Sequence, residues 1–284
     1  MIVPARGGSS SLPPVTPDGL ERLRRWRDGA RGVPPAVGRL GVQLITVERG
    51  TTTMRLPLSR ELLVAGRDPS GAVPAMLCDF GLTSSVVASL PDLRGVTTIS
   101  LTVDHHRLPP TTGALVVTCQ AQPFDAAAED EAPQHCAGQV RDEDGALVAT
   151  TSGWFLATAA PAAERDRQGV VTEPPATDLH ALLDVPAAAS FTVHARDALS
   201  NALGTLHGGI GALASVLAAQ HLLPDGMQPL TTSSAFLRPT PRHGNVQVRG
   251  ELVRAGRRTA TAAATIRDDA GRLLVQTTVV AARR

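Results

Sequence analysis

The fold of this chain turns on the stretch Asn201-Ala-Leu-Gly-Thr-Leu-His-Gly-Gly-Ile-Gly-Ala-Leu-Ala-Ser-Val216. A polar residue and a glycine turn lead into His207-Gly208-Gly209. A small, apolar run follows to Leu222, and Pro224 ends it. Glycine at a helix start lets another group approach the backbone closely. The first N–H groups of a helix have no partner within it. Together with the helix dipole they form a site for an anion or a developing oxyanion. The run 208–222 is apolar nearly all round, which predicts a buried central helix. An open N-terminus on such a helix is more than packing alone requires.

Working outward, apolar and polar residues alternate at 190–196, 230–237, 245–254, 258–267 and 272–281, which predicts strands. The first half repeats this order. A hairpin of strands 40–47 and 51–57 turns at Glu48-Arg49-Gly50. A small-residue helix follows at 71–89, with Pro74 tolerated in its first turn. Strands come next at 97–106, 114–122, 134–142 and 146–156, with an acidic solvated loop at 125–131. A short helix at 19–27 carries Leu20, Leu23 and Trp26 on one side.

Val140-Arg-Asp-Glu-Asp-Gly-Ala-Leu-Val-Ala-Thr-Thr matches Ile266-Arg-Asp-Asp-Ala-Gly-Arg-Leu-Leu-Val-Gln-Thr, so the chain reads as an internal duplication. The expected class is α+β, with one long helix wrapped by an antiparallel sheet, twice over. The expected boundaries are a flexible tail at 1–17, an N-terminal domain at 18–158, a linker at 159–175 and a C-terminal domain at 176–284.

Composition narrows the function. The 284 residues suit two domains. A net charge of +1 gives no basis for a nucleic-acid surface, and 2% aromatics without Tyr leave no stacking platform. Cys78, Cys119 and Cys136 are odd in number and lack metal-ligand spacing, as suits a reducing cytosol. His105-His106 lie on opposite faces of a strand and make a poor metal pair. No run approaches the roughly 20 apolar residues of a bilayer span, and the N-terminus lacks a signal-peptide core. A cytoplasmic protein with no metal and no cofactor is expected.

Asn201…Gly204-Thr-Leu-His-Gly-Gly209, the helix after it and the strand ending Phe236-Leu-Arg-Pro239 resemble the hotdog-fold thioesterases of the phenylacetate-degradation type. The first half resembles them in outline, through Pro35-Ala-Val-Gly-Arg-Leu-Gly41, Gly50 and Ala75-Met-Leu-Cys-Asp-Phe-Gly-Leu82. The resemblance implies two hotdog domains paired as an intrachain pseudo-dimer, hydrolysing an acyl-CoA thioester between them. It also implies two site components. One is a His-Gly-Gly helix start whose amide polarises the thioester carbonyl. The other is an Asp or Glu eight residues after the first Gly, on the partner helix.

Here each half keeps what the other lacks. Eight residues after Gly208 stands Val216, while eight before Asp79 stands Gly71, preceded by Ser70. Eight helical residues rise about 12 Å, so such a carboxylate serves a neighbouring helix's N-terminus, not its own. One live composite site is expected, joining Asn201, His207 and Gly208 to Asp79. Its dead counterpart joins Ser70 and Gly71 to Val216.

In the live site the Gly208 amide is the expected oxyanion donor, and Asp79 the general base or nucleophile. Thr83, one turn beyond Asp79, is expected to hold the carboxylate or the water. As the resemblance implies, Asn201 positions water or the carbonyl. His207 shapes the helix start. Gly209 and a hydroxyl from Thr231, Thr232, Ser233 or Ser234 are expected near the substrate, and Arg238, Arg257 and Arg258 are candidates for coenzyme A phosphates. Cys78 points about 100° away from Asp79 around the helix, which removes it as a nucleophile.

Two other functions compete. A hotdog hydratase needs an Asp five residues before the His, whereas Asp197 lies ten and Asn201 six before His207. A non-catalytic acyl-CoA-binding or scaffold module is the alternative, because both halves depart from the full motif. The expected partner is a small acyl thioester, on coenzyme A or a carrier. Coenzyme A enters only as part of the substrate. No nucleic acid and no membrane span are expected, and a homodimer of the two-domain chain is left open.

Overall fold

The computed structural model describes residues 18–29, 33–59, 71–123, 132–158 and 182–283. The expected tail at 1–17, Ser70, the acidic loop at 125–131 and the linker at 159–175 lie outside the described residues.

Two short helices come first, α1 (Gly19–Arg27) and α2 (Pro35–Arg39). The Asp18 carboxylate caps α1 by accepting the Glu21 N–H at 2.8 Å. The sequence pattern predicts no helix at α2. Pro35 starts it, because a proline at the first helical position has φ already set and sacrifices no bonded N–H.

The first repeat continues with β1 (Gln43–Glu48), β2 (Thr51–Leu58), α3 (Ala72–Ser89), β3 (Gly95–His105), β4 (Gly113–Ala121), β5 (Gln134–Asp142) and β6 (Leu147–Thr158). The second holds β7 (Ser190–Ala195), α4 (Gly208–Gln220), β8 (Met227–Phe236), β9 (Gly244–Ala255), β10 (Thr259–Asp268) and β11 (Leu273–Arg283).

The strands form one sheet in the order 1-2-4-5-6-3-8-11-10-9-7, and every pair in it is antiparallel. Leaving out β1, each repeat contributes the same order read from opposite ends. The strand that follows each central helix pairs with its counterpart at the seam, from Ser100↔Ala235 to Asp104↔Thr231. This shared seam brings α3 and α4 side by side on the inner face.

Both central helices are apolar over most of their surface because sheet or helix covers most of it. Met76, Leu77, Phe80 and Leu213 are fully buried there, and each such side chain stabilises the fold by about 1.5–3 kcal/mol. By length and composition α3 does reach what a bilayer crossing needs, contrary to the reading of the apolar runs, but 83% of it is buried inside the protein.

The duplicated hairpins fold alike. Arg141 Nη1 donates to Gly145 O at 2.7 Å, and Arg267 Nη1 to Gly271 O at 2.8 Å. Asp142 Oδ1 accepts Ala146 N–H at 2.8 Å, and Asp268 Oδ1 accepts Arg272 N–H at 2.9 Å. Both glycines have left-handed φ, +83° and +75°, which is why the repeat carries Gly there.

Candidate active site

Where α3 passes the start of α4, the two repeats meet at a carboxylate. Asp79 comes from mid-α3 and is 1% exposed. Its oxygens lie 3.0 and 3.2 Å from the position a Cβ on Gly208 would take. A side chain at 208 would therefore press on the acid. Gly208 is the first residue of α4, and its amide donates to nothing among the described residues.

The two glycines of His-Gly-Gly have separate tasks. A Cβ on Gly209 would meet Phe80 Cε1 at 2.7 Å and the Met76 carbonyl at 2.9 Å. Gly209 thus lets the helices touch, and Gly208 admits the carboxylate. Gly209 does not line the cavity beside this site, which corrects its expected place at the substrate.

His207 caps α4. Its Nδ1 accepts the Gly209 N–H at 3.1 Å and lies 3.2 Å from Asp79 Oδ2. Its ring packs edge-on against Phe80, with centroids 4.3 Å apart. His207 therefore fixes the helix start. The loop before it is built by Asn201. Asn201 Oδ1 accepts Leu203 N–H at 2.8 Å and Thr205 N–H at 3.1 Å, while Nδ2 donates to Thr205 Oγ1 at 2.9 Å. Asn201 lines the cavity, but its carbonyl oxygen is occupied by its own loop.

One functional candidate escaped the sequence reading. Thr98 Oγ1 donates to Asp79 Oδ1 at 2.7 Å and lies 3.3 Å from the Gly208 Cβ position. A β-bulge between Thr98 and Ser100 puts it there. Beyond the bulge Leu101, Val103 and His105 face inward. By that parity Thr98 would face outward, and the extra residue turns it in. With Oδ1 held, Asp79 Oδ2 is left buried and without a hydrogen-bond partner.

The expected hydroxyl on the strand after α4 is not there. Thr231 bonds Asp104, Thr232 bonds His105, Ser233 meets Thr102, and Ser234 is buried against Thr277. The hydroxyl comes from the strand after the acid's own helix, and the duplication itself could have signalled that position.

Asp79, Gly208, Asn201, His207, Thr83 and Thr98 all border one cavity of about 340 Å³. Thr83 Oγ1 is buried there without a partner. Arg238 is on the rim, with Nη1 donating to Leu273 O at 2.7 Å. Ser234, Arg257 and Arg258 do not line the cavity. Ser234 is locked in the core, and the two arginines occupy the exposed β9–β10 turn. Burial pushes the Cys78 thiol up to about 12, so it is no nucleophile at neutral pH.

At the expected dead site, a Cβ on Gly71 would meet Gln220 Nε2 at 2.8 Å and Pro229 Cγ at 3.1 Å. The expected neighbour, Val216, is fully buried in α4. Gln220, one turn further on, takes that place.

Comparison with solved structures identifies the architecture. A candidate oleoyl thioesterase from Lactobacillus plantarum is 11% identical and matches with a TM-score of 0.53, over 83% of this chain and 99% of that one. A candidate thioesterase from Novosphingobium aromaticivorans is 15% identical, with a TM-score of 0.55 over 85% and 98%. The 12:0-ACP thioesterase from Umbellularia californica is 10% identical, with a TM-score of 0.54 over 83% and 95%. Residues 196–282 match the family model described as acyl-CoA thioesterase N-terminal domain.

The chain has the double-hotdog fold of these structures. No curated protein matches it. In this double hotdog the family-model match covers β8 to β11 and α4, the repeat that supplies the open helix start. The carboxylate comes from the repeat outside that match.

Proposed function

We propose that this double hotdog hydrolyses acyl-CoA thioesters at a single composite site, with Asp79 from one repeat and the Gly208 amide from the other. The observation that carries this reading is the placing of the Asp79 carboxylate 3.0–3.2 Å from the Gly208 Cβ position.

The thioester carbonyl oxygen points at the Gly208 N–H, with the α4 dipole behind it. A donor of this kind stabilises the developing oxyanion by roughly 3–4 kcal/mol. Asp79 Oδ2 removes a proton from water as the water oxygen adds to the carbonyl carbon. The π pair of the carbonyl moves onto its oxygen. When the tetrahedral adduct collapses, the C–S bond breaks and the proton passes from Asp79 to the leaving thiolate, giving acid and thiol. Direct attack by Oδ2, which breaks the C–S bond, releases the thiolate and leaves an anhydride that water then opens to two carboxylic acids, uses the same oxygen and the same amide. Thr98 holds Oδ1 in either case, and Thr83 has a hydroxyl at hand for water.

The polar, arginine-bearing rim at Arg238 suits the phosphates of coenzyme A. The test is a panel of acyl-CoA and acyl-carrier thioesters with wild type and Asp79→Asn. Loss of turnover in the folded variant supports the reading, and retained turnover refutes it. Co-purified acyl-CoA without turnover by wild type assigns the chain to binding instead.

A further inference from the structure

The cavity extends well beyond the reacting groups. Along α3 its wall is formed by Asp79, Thr83 and Val87, residues four apart on one helix face. From Asp79 to Val87 this face runs about 12 Å. At the Asp79 end the neighbours come from the second repeat: the loop at Asn201 and Thr205, and the segment at Arg238 and Thr240. Leu206 N–H donates to Thr240 O at 3.2 Å and ties these two together. The polar groups there stand among Leu203, Leu206 and Leu237, and Leu237 and Arg238 are exposed.

The Val87 end is different. Val96 and Leu156 line it from the sheet, and Arg22, Leu23 and Trp26 of α1 line it from above. Arg94 borders the same end, but its Nε donates to Asp92 at 2.7 Å. α1 is seated tightly there. A Cβ on Gly19 would overlap the Val87 carbonyl, and Leu20 and Leu23 are buried beneath α1. Arg49 fixes its start, with Nη2 donating to Asp18 Oδ2 at 2.6 Å and Nη1 to Leu90 O at 2.9 Å. Trp26, half-buried, is packed against the core at the end of this slot.

We infer that the acyl chain lies along α3 from Asp79 toward Val87, and that Trp26 and Leu23 of α1 close the slot and set its length. The polar arm of the substrate then leaves past Arg238, and the apolar arm enters the apolar end. With ordinary C–C bonds and near-tetrahedral angles, an extended chain spans that distance with roughly ten carbons. The preferred substrate is thus a medium-length, unbranched aliphatic thioester. This assignment builds on the thioesterase reading for the position of the thioester carbon.

The test separates binding from turnover. The full chain is titrated calorimetrically with S-butyl-, S-decyl- and S-hexadecyl-coenzyme A, thioethers that resist hydrolysis, below their micelle concentrations. Hydrolysis of the matching thioesters is assayed in parallel. Affinity is expected to rise from butyl to decyl, by up to about fourfold per buried methylene, and to fall at hexadecyl. Trp26→Ala is expected to recover hexadecyl binding by about tenfold or more, the gain of a few buried methylenes, and to leave butyl binding unchanged. Trp26→Leu is a second variant, should Ala loosen α1. Val87→Phe, which narrows the slot, is expected to weaken decyl binding and spare butyl. An unbroken rise through hexadecyl, or a Trp26→Ala profile superposable on wild type, overturns the inference. Absent hydrolysis with the expected binding profile sinks the thioesterase reading alone. Intact hydrolysis with a flat binding profile sinks the slot alone.

Discussion

The starts of α3 and α4 occupy matching places in the two repeats, yet they meet different surroundings. Gly208 faces a buried carboxylate, whereas Gly71 faces the Gln220 carboxamide and the Pro229 ring. The duplication supplied two helix starts and two mid-helix positions. Only one crossed pair retains both an open amide with a His cap and an acid. The other carries an amide side chain and a proline ring against the backbone. The two helix starts thus differ in what packs against them: a carboxylate at one, a carboxamide and a proline ring at the other.

The largest effect is expected at the acid. Asp79→Asn keeps the volume and an oxygen for Thr98 but removes the proposed base, so kcat should fall by about 10³-fold with the melting temperature nearly unchanged. Restoring an acid in the twin is expected to fail. Val216→Asp puts a carboxylate in a fully buried position, beside a helix start that has no capping side chain among the described residues. Chemical denaturation should show a loss of about 3 kcal/mol or more, and turnover should not rise.

Gly208→Ala sets a methyl group against the Asp79 oxygens. A shift of under an ångström is enough to cost about 10²-fold in kcat/KM, measurable by steady-state kinetics. Thr98→Val removes the hydroxyl that holds Oδ1. It should lower kcat by roughly tenfold or somewhat more, with KM little changed and Thr98→Ser largely restored.

The smallest effect is expected in the duplicated hairpins, where the repeats remain alike. The hydrogen bond from Arg272 holds the Asp268 carboxyl below the usual carboxylate range. A lowered pKa stabilises the fold above the unfolded-state value, and that contribution fades as pH falls through the folded one. Asp268→Asn should therefore lower the melting temperature slightly at neutral pH. The difference should vanish in acid, and turnover should be unaffected.

Much of this was legible in the residues. Alternation and turn glycines located the strands, and the run of small apolar residues located both helices. Asp79 and Gly208 could be paired on paper because the resemblance implies an acid eight residues after the glycine on the partner helix, and a helix rise of about 12 Å over eight residues explains why that acid serves a neighbouring start. Three features were not legible. Thr98 reaches the acid only because an extra residue in β3 reverses the strand's facing, and the one hint of it, the duplication, gives the strand but not the bulge. Ser234 looked available for the substrate, but the seam register turned it toward Thr277. Trp26 belongs to a helix that reads as a peripheral amphipathic segment, and its role depends on where that helix lands.

The sequence by itself determined the units and the half-sites: a helix wrapped by strands, twice, with an acid in one copy and an open helix start in the other. Those are local properties, written in periodicity and residue type. Tertiary structure alone decided which half-sites meet, which hydroxyl holds the acid and what ends the cavity. These depend on strand register and on the side-by-side seating of α3 and α4, which arise from contacts between residues far apart in the chain.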